Sequence, residues 1–325
     1  MNKIMTFGTL VIFILGNVEV YSLLPTKNCK PNKKGIQFYV NLCRALLDAG
    51  IEPFVTLYHW DLPLWLDQIG GWGKHKSVDH FCKYADTMFK ALTENAELPV
   101  KYWITFNEPA VFVPNYWGHN DFPKAIKNVL HAHGKTVELF NEKYKKHPNI
   151  EAYDGQIGIT LNLHSFSPNV YGDKRDELAV ENAWKQQNGL WLDPIFYGQF
   201  PENINNLLSS KQISLKLNKE EQETISSPID FLGVNYYSAP TVKYNEYRPP
   251  GYYEGVSGNF ERNEMGIEIK PHGIYDLTVR LKEKYNNPTM YITENGCACP
   301  DVFGHDKRIH DYERINYIKQ HLIYC

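Results

Sequence analysis

The chain has 325 residues, is 43% hydrophobic, and sets 34 Lys+Arg against 37 Asp+Glu for a formal charge of −3. An ordinary apolar fraction with so small a charge excludes a disordered chain, and a pI near 6.5 excludes a polybasic nucleic-acid surface. A mean hydropathy of −0.44 with one long apolar run excludes a multi-pass membrane protein, and the length accommodates one large α/β barrel or two medium domains.

At the N-terminus Lys3 precedes the apolar run Met5–Leu15, and Val20-Tyr-Ser22 offers a small-residue cleavage site. This is the pattern of a secretory leader over residues 1–22, which implies that a domain over 23–325 is secreted or held in the secretory-pathway lumen. The run is too short for a stable membrane span. Its alternative reading is a buried strand, which Leu10–Leu15 fits by length and branching. Cysteines stand at 29, 43, 82, 297, 299 and 325, without the spacing of a small disulfide scaffold. Cys297 and Cys299 suggest a metal clip, but no second Cys or His pair stands at ligand spacing, so free or singly paired thiols are expected. His131 and His133, at i and i+2 of a predicted helix, point apart, and no metal site is expected there.

From residue 35 onward helices and strands alternate. Ile36–Ala49 carries apolar residues at helical spacing and stops at Gly50. Ile51–Trp60 reads as a strand, Val78–Leu92 as an amphipathic helix, Val100–Phe106 as a strand and Ile126–Tyr144 as a helix. The strand Gln156–Leu163, the helix Arg175–Leu190, the strand Ile229–Tyr237, the helix Gly273–Tyr285, the strand Thr289–Thr293 and the helix Tyr312–Leu322 complete the pattern. Near-continuous apolar strands followed by helices predict a parallel sheet covered on both faces.

Each predicted strand ends in polar groups: His59-Trp60-Asp61, Asn107-Glu108, Asn162-Leu-His164, Asn235-Tyr-Tyr237 and Glu294-Asn295. Strand C-termini ring the active site of a βα barrel, whereas a dinucleotide fold would want a glycine-rich phosphate loop, which is absent. Two of these ends carry a Glu after an apolar strand. A lone strand-end Glu is more often a cap or a backbone ligand. Two facing carboxylates are what glycosidic cleavage requires, one holding a proton for the leaving oxygen and one attacking or activating water.

The segments Thr105-Phe-Asn-Glu-Pro109 and Ile292-Thr-Glu-Asn-Gly296 resemble the two signature motifs of glycoside hydrolase family 1, the β-glucosidase family. Tyr58-His-Trp-Asp-Leu-Pro63, Gly70-Gly-Trp72 and Phe231-Leu-Gly-Val-Asn-Tyr-Tyr237 are similar to further family segments, in order from about Leu24 to the C-terminus. The resemblance implies an α/β fold of the (β/α)8 TIM-barrel type. It also implies retaining hydrolysis of β-glycosides, small or oligosaccharide, with no cofactor. By resemblance Glu108 is the acid/base, protonated, and Glu294 the nucleophile, ionised, with their carboxyl groups roughly 5–5.5 Å apart. The resemblance assigns His59 and Asn107 to the sugar hydroxyls, with Trp60 and Asn235 nearby, and has Tyr237 hydrogen-bonded to the nucleophile.

Strands three to seven of the family barrel are recognisable. Segments matching strands one, two and eight are not, including the Gln, Arg and Asn-Phe-Glu-Trp groups that complete the family's sugar site. The expectation is therefore an incomplete barrel. Its alternative function is that of a truncated, inactive or merely sugar-binding family member. An aldolase-type barrel would want a strand-end Lys, and none is found.

Overall fold

The computed structural model describes residues 10–14, 31–94, 99–119, 121–208 and 215–325. Its centre is one all-parallel, six-stranded sheet: β1 (Leu10–Ile14), β2 (Glu52–Tyr58), β3 (Tyr102–Asn107), β4 (Gln156–Asn162), β5 (Phe231–Asn235) and β6 (Met290–Glu294), hydrogen-bonded in that order. The sheet is open, with β1 and β6 at its edges, and its strands alternate with helices as in a βα barrel. Of the stretch predicted as a leader, Leu10–Ile14 forms the strand paired with β2, Leu10 opposite Glu52 and Ile14 opposite Thr56. The rest of residues 1–22 lies outside the described residues.

The helices follow local chemistry. In α1 (Lys33–Asp48) the Asn32 side chain accepts from the backbone N–H of Lys34 and Gly35, and Gly50 at φ 73° turns the chain out of the helix. α2 (Lys76–Phe89) and α3 (Phe122–Lys143) bury Phe81, Met88, Phe89, Ile126, Val129 and Phe140 beneath β2–β4. α4 (Lys174–Trp184) is capped by Asp173, α5 (His272–Lys284) precedes β6, and α6 (Tyr312–Ile323) follows it. Two predicted helices run on differently. The stretch expected to end at Leu92 passes into a π turn over Lys90–Glu94. The stretch expected to end at Leu190 is interrupted by a π turn over Lys185–Gly189. Among the described residues no helix is long and apolar enough to cross a membrane.

Two clusters fix the strand ends. Inside the sheet's curve Phe54 stacks on Tyr102 with centroids 4.2 Å apart, and Tyr291 meets Phe54 and Phe231 edge-on at 5.0 and 5.2 Å. On the helix side Phe106 stacks on Phe81 at 4.4 Å, while Tyr58 meets Phe112 at 5.0 Å and Trp72 at 5.5 Å. Such pairs add about 0.5–1.5 kcal/mol each beyond their burial.

Close strand approach depends on Gly158 of β4, where a Cβ would stand 2.3 Å from the Phe231 carbonyl oxygen. The obstructing atom is ladder backbone and has no rotamer to yield. Gly158→Ala is expected to lower stability by about 1–3 kcal/mol, seen as a lower denaturant midpoint with an unchanged slope.

Candidate active site

The two motif carboxylates come together through irregularities in their strands. In β3 the register passes from Ile104–Gly158 to Asn107–Thr160, three residues against two, so the strand carries one extra residue. The neighbours Thr105 and Phe106 consequently both face the helices. Thr105 Oγ1 lies 2.8 Å from His133 Nδ1 on α3, and Phe106 stacks on Phe81 of α2. Asn107 is thereby returned to the inner side. In β6 the register passes from Ile292–Val234 to Glu294–Asn235, again with one extra residue. There Thr293 and Glu294 both face inward, where Thr293 Oγ1 donates to Asn235 Oδ1 (2.6 Å) and Glu294 Oε2 accepts from Tyr237 O–H (2.6 Å).

Glu108 is 5% exposed and sits at φ 49°. A non-glycine residue in this left-handed region costs about 1–3 kcal/mol. The conformation is held on both sides. The Glu108 N–H donates to the Thr160 carbonyl (2.9 Å), and Pro109 starts a short helix at Pro109–Phe112. Its Oε1 accepts from Asn235 Nδ2 at 2.8 Å. The same amide nitrogen donates to Asn107 Oδ1 at 3.1 Å. Asn235 is fully buried, and both ends of its amide are committed, so it ties β5 to β3 and β6 and orients Glu108.

Asn107 Nδ2 lies 3.4 Å from His59 Nε2, and Trp60 Nε1–H donates to the Asn107 carbonyl (3.1 Å). Trp60, at φ 77°, has its one N–H occupied and leaves its ring 43% exposed as an open face. The seven residues singled out in the sequence, Glu108, Glu294, His59, Trp60, Asn107, Asn235 and Tyr237, thus gather at the C-terminal rim of β2, β3, β5 and β6.

Burial raises the Glu108 pKa, the Asn235 hydrogen bond opposes the rise, and the nearby Glu294 charge adds to it. Burial lowers the His59 pKa, against the pull of Glu294 and Asp61, so the imidazole is a neutral donor–acceptor. Burial and then Glu294 push the Tyr237 phenol above its usual range, which keeps it a donor. Among the described residues no group of three or more His, Cys, Asp or Glu is arranged to hold a metal.

Two participants escaped the sequence reading. Thr293 stands inside a quoted motif but was given no task; its inward position comes from the extra residue of β6, which no residue pattern announces. Asn162 ends β4 opposite Asn235, and its buried Oδ1 has no hydrogen-bond partner among the described residues. Its place among the polar strand ends was visible, and its unused acceptor was not.

Two carboxyl groups on the C-terminal rim of a parallel βα sheet, Glu108 with its pKa raised by burial and Glu294 held by Tyr237, define a glycosidase-type site. The sequence matches the family model for glycosyl hydrolase family 1 over residues 21–325, and the chain belongs to that family. It is 36% identical over 312 residues to beta-glucosidase A of Thermotoga maritima, covering 92% of this chain and 66% of that protein. It is 33% identical over 337 residues to a 6-phospho-beta-galactosidase of Clostridium acetobutylicum, covering 92% and 68%. The solved family 1 b-glucosidase of Thermotoga maritima superimposes with a TM-score of 0.84 at 34% identity, covering 97% of this chain and 69% of that one. The same enzyme has been solved in complex with castanospermine and with deoxynojirimycin, each with a TM-score of 0.83. The chain spans about two thirds of the length of these relatives.

Proposed function

We propose that this chain carries the catalytic carboxylates of a retaining β-glycosidase acting on β-glucosides or related small β-glycosides. In this reading β2–β6 correspond to strands three to seven of the family's eight-stranded barrel. The supporting observation is the joint tethering of the two motif carboxylates: Asn235 holds Glu108, and Thr293, the neighbour of Glu294, holds Asn235. The Thermotoga enzyme's complexes with sugar-like inhibitors favour a small-molecule glycoside as the ligand class.

The steps follow from the electrostatics. Glu294 attacks the anomeric carbon while Glu108 gives its proton to the leaving oxygen. The resulting ester removes the Glu294 charge. That charge was one of the forces raising the Glu108 pKa, so the Glu108 pKa falls. The carboxylate left on Glu108 then accepts a proton from the water that opens the ester. His59 and Asn107 are placed for the sugar hydroxyls, and the open Trp60 ring for a sugar face.

Release of a phenol from an aryl β-glucoside by the full chain, with Glu294→Gln as control, tests the proposal. Turnover above the control with the β-anomer formed first supports it. Turnover no greater than the control overturns it, and inhibitor binding without turnover would assign a sugar-binding role instead.

A further inference from the structure

Cys297 and Cys299 lie outside the carboxylate network but on the loop that leaves Glu294. Their sulfurs are 3.2 Å apart and both thiols are free. Both residues are half-buried, within reach of a small solute. The loop is pinned around them. The Ala298 carbonyl accepts from Glu264 N–H at 3.1 Å, and the Cys297 carbonyl accepts from Arg314 Nε at 3.3 Å. Arg314 is itself fixed by Asp311 at 2.6 Å and Asp301 at 3.2 Å. The sulfurs lie 3.2 Å apart on a loop pinned at Cys297 and Ala298, so the fold holds the two side chains together before any bond joins them. The other described thiols differ: Cys43 is buried, Cys82 lies 3.9 Å from Thr136 Oγ1, and Cys325 packs against the hydrophobic core.

We propose that Cys297 and Cys299 form a dithiol redox site, oxidised to an intramolecular disulfide by a low-molecular-weight disulfide of the glutathione type. The 3.2 Å separation of the two sulfurs places either one to attack the other once the other is in a mixed disulfide. With Cys299 first, its thiolate attacks one sulfur of the reagent and expels the first small thiolate. Cys297 then attacks the Cys299 sulfur of the mixed disulfide and expels the second. Two protein thiols and one reagent disulfide become one protein disulfide and two reagent thiols. The two thiol protons pass to the departing thiolates.

The ring so formed begins just past Asn295, whose Nδ2 donates to the Tyr236 carbonyl at 2.8 Å and lies 3.2 Å from the Tyr317 hydroxyl. Oxidation therefore stiffens the segment that presents Glu294. Only that consequence rests on the proposed function; the thiol chemistry stands apart from it.

The test equilibrates the native full chain with mixtures of oxidised and reduced glutathione. The reaction is quenched in acid, free thiols are alkylated, and the peptide holding both cysteines is weighed. The expected product is that peptide lighter by the mass of two hydrogens and restored by reductant. Its ratio of oxidised to reduced form should exceed that of the same chain unfolded in guanidinium by about tenfold or more. Cys297→Ser should stop at a mixed disulfide on Cys299. A wild-type chain that stops at mixed disulfides, a disulfide to another cysteine, or an equal ratio in the unfolded chain would each overturn the proposal. The readout is a mass, so absence of glycosidase turnover leaves it intact and the two readings fail separately.

Discussion

Glu294→Gln should reduce turnover of an aryl β-glucoside by about 10⁵-fold or more, the scale that a well-oriented intramolecular nucleophile contributes. The substitution keeps the volume of the side chain and leaves an amide oxygen to accept the 2.6 Å hydrogen bond from Tyr237, so folding should be preserved. What disappears is the electron pair that attacks the anomeric carbon. A smaller substitution checks the assignment: Glu294→Gly leaves room for an added anion, and azide should restore turnover while giving a glycosyl azide of inverted configuration. Thermal melting of the Gln variant close to that of the parent separates lost chemistry from lost structure. A Gln variant retaining most of the parent rate would remove Glu294 from the role of nucleophile.

Glu108→Gln should cost about 10²–10⁴-fold, the range for a positioned general acid, and the cost should depend on the leaving group. A poorly acidic phenol needs the proton and loses the full factor in its formation step. Dinitrophenolate leaves without help and loses little there. The pH profile carries the same assignment. Burial, against the Asn235 hydrogen bond and with the Glu294 charge, raises the Glu108 pKa. The reaction needs the protonated form, so the rate falls as pH rises through this raised value, and that alkaline limb should vanish in the Gln variant. The stability effect has the opposite sense. A carboxyl group whose folded pKa exceeds its unfolded one binds more protons when folded, so its contribution weakens as pH rises from the unfolded value through the folded one. Glu108→Gln should therefore melt above the parent at neutral and alkaline pH, with the gap closing in acid. A leaving-group-independent loss would assign Glu108 a structural role.

Much of the frame was legible because a strand buried on both faces leaves few alternatives. Val100–Phe106 and Ile229–Tyr237 are nearly unbroken apolar runs, and both are central strands as β3 and β5. Pieces that bury little carried no such mark. The antiparallel pair Thr241–Tyr244 and Tyr253–Val256 lies between the predicted strand Ile229–Tyr237 and helix Gly273–Tyr285, where no element was predicted. The short helix Lys219–Ile225, capped by an Asn218–Glu221 capping box, was not anticipated, because it has no apolar stripe to announce it. At the site, strand-end positions gave a wider set of polar groups, and the family resemblance picked the seven from it. They did not divide the labour: Asn235, placed near the sugar by the resemblance, has its amide hydrogen-bonded to Glu108, Asn107 and Thr293. Nor did composition reveal that Cys297 and Cys299 meet at 3.2 Å, since that depends on how the loop after β6 is tied to α6.

The single extra residues in β3 and β6 set a parity rule for this chain. Along a regular strand facing is decided by whether the count of residues is odd or even, and each added residue inverts that count just before a carboxylate. Deleting one residue between Ile104 and Asn107, or Thr293 between Ile292 and Glu294, would restore plain alternation and leave Asn107 and Glu294 facing inward. It would nevertheless remove a packed group: Thr105 on His133 or Phe106 on Phe81 from the helix side of β3, or the Thr293 hydroxyl that holds Asn235 from the inner side of β6. Length variation should therefore be absent from these two short stretches, even in relatives whose connecting loops differ freely in size.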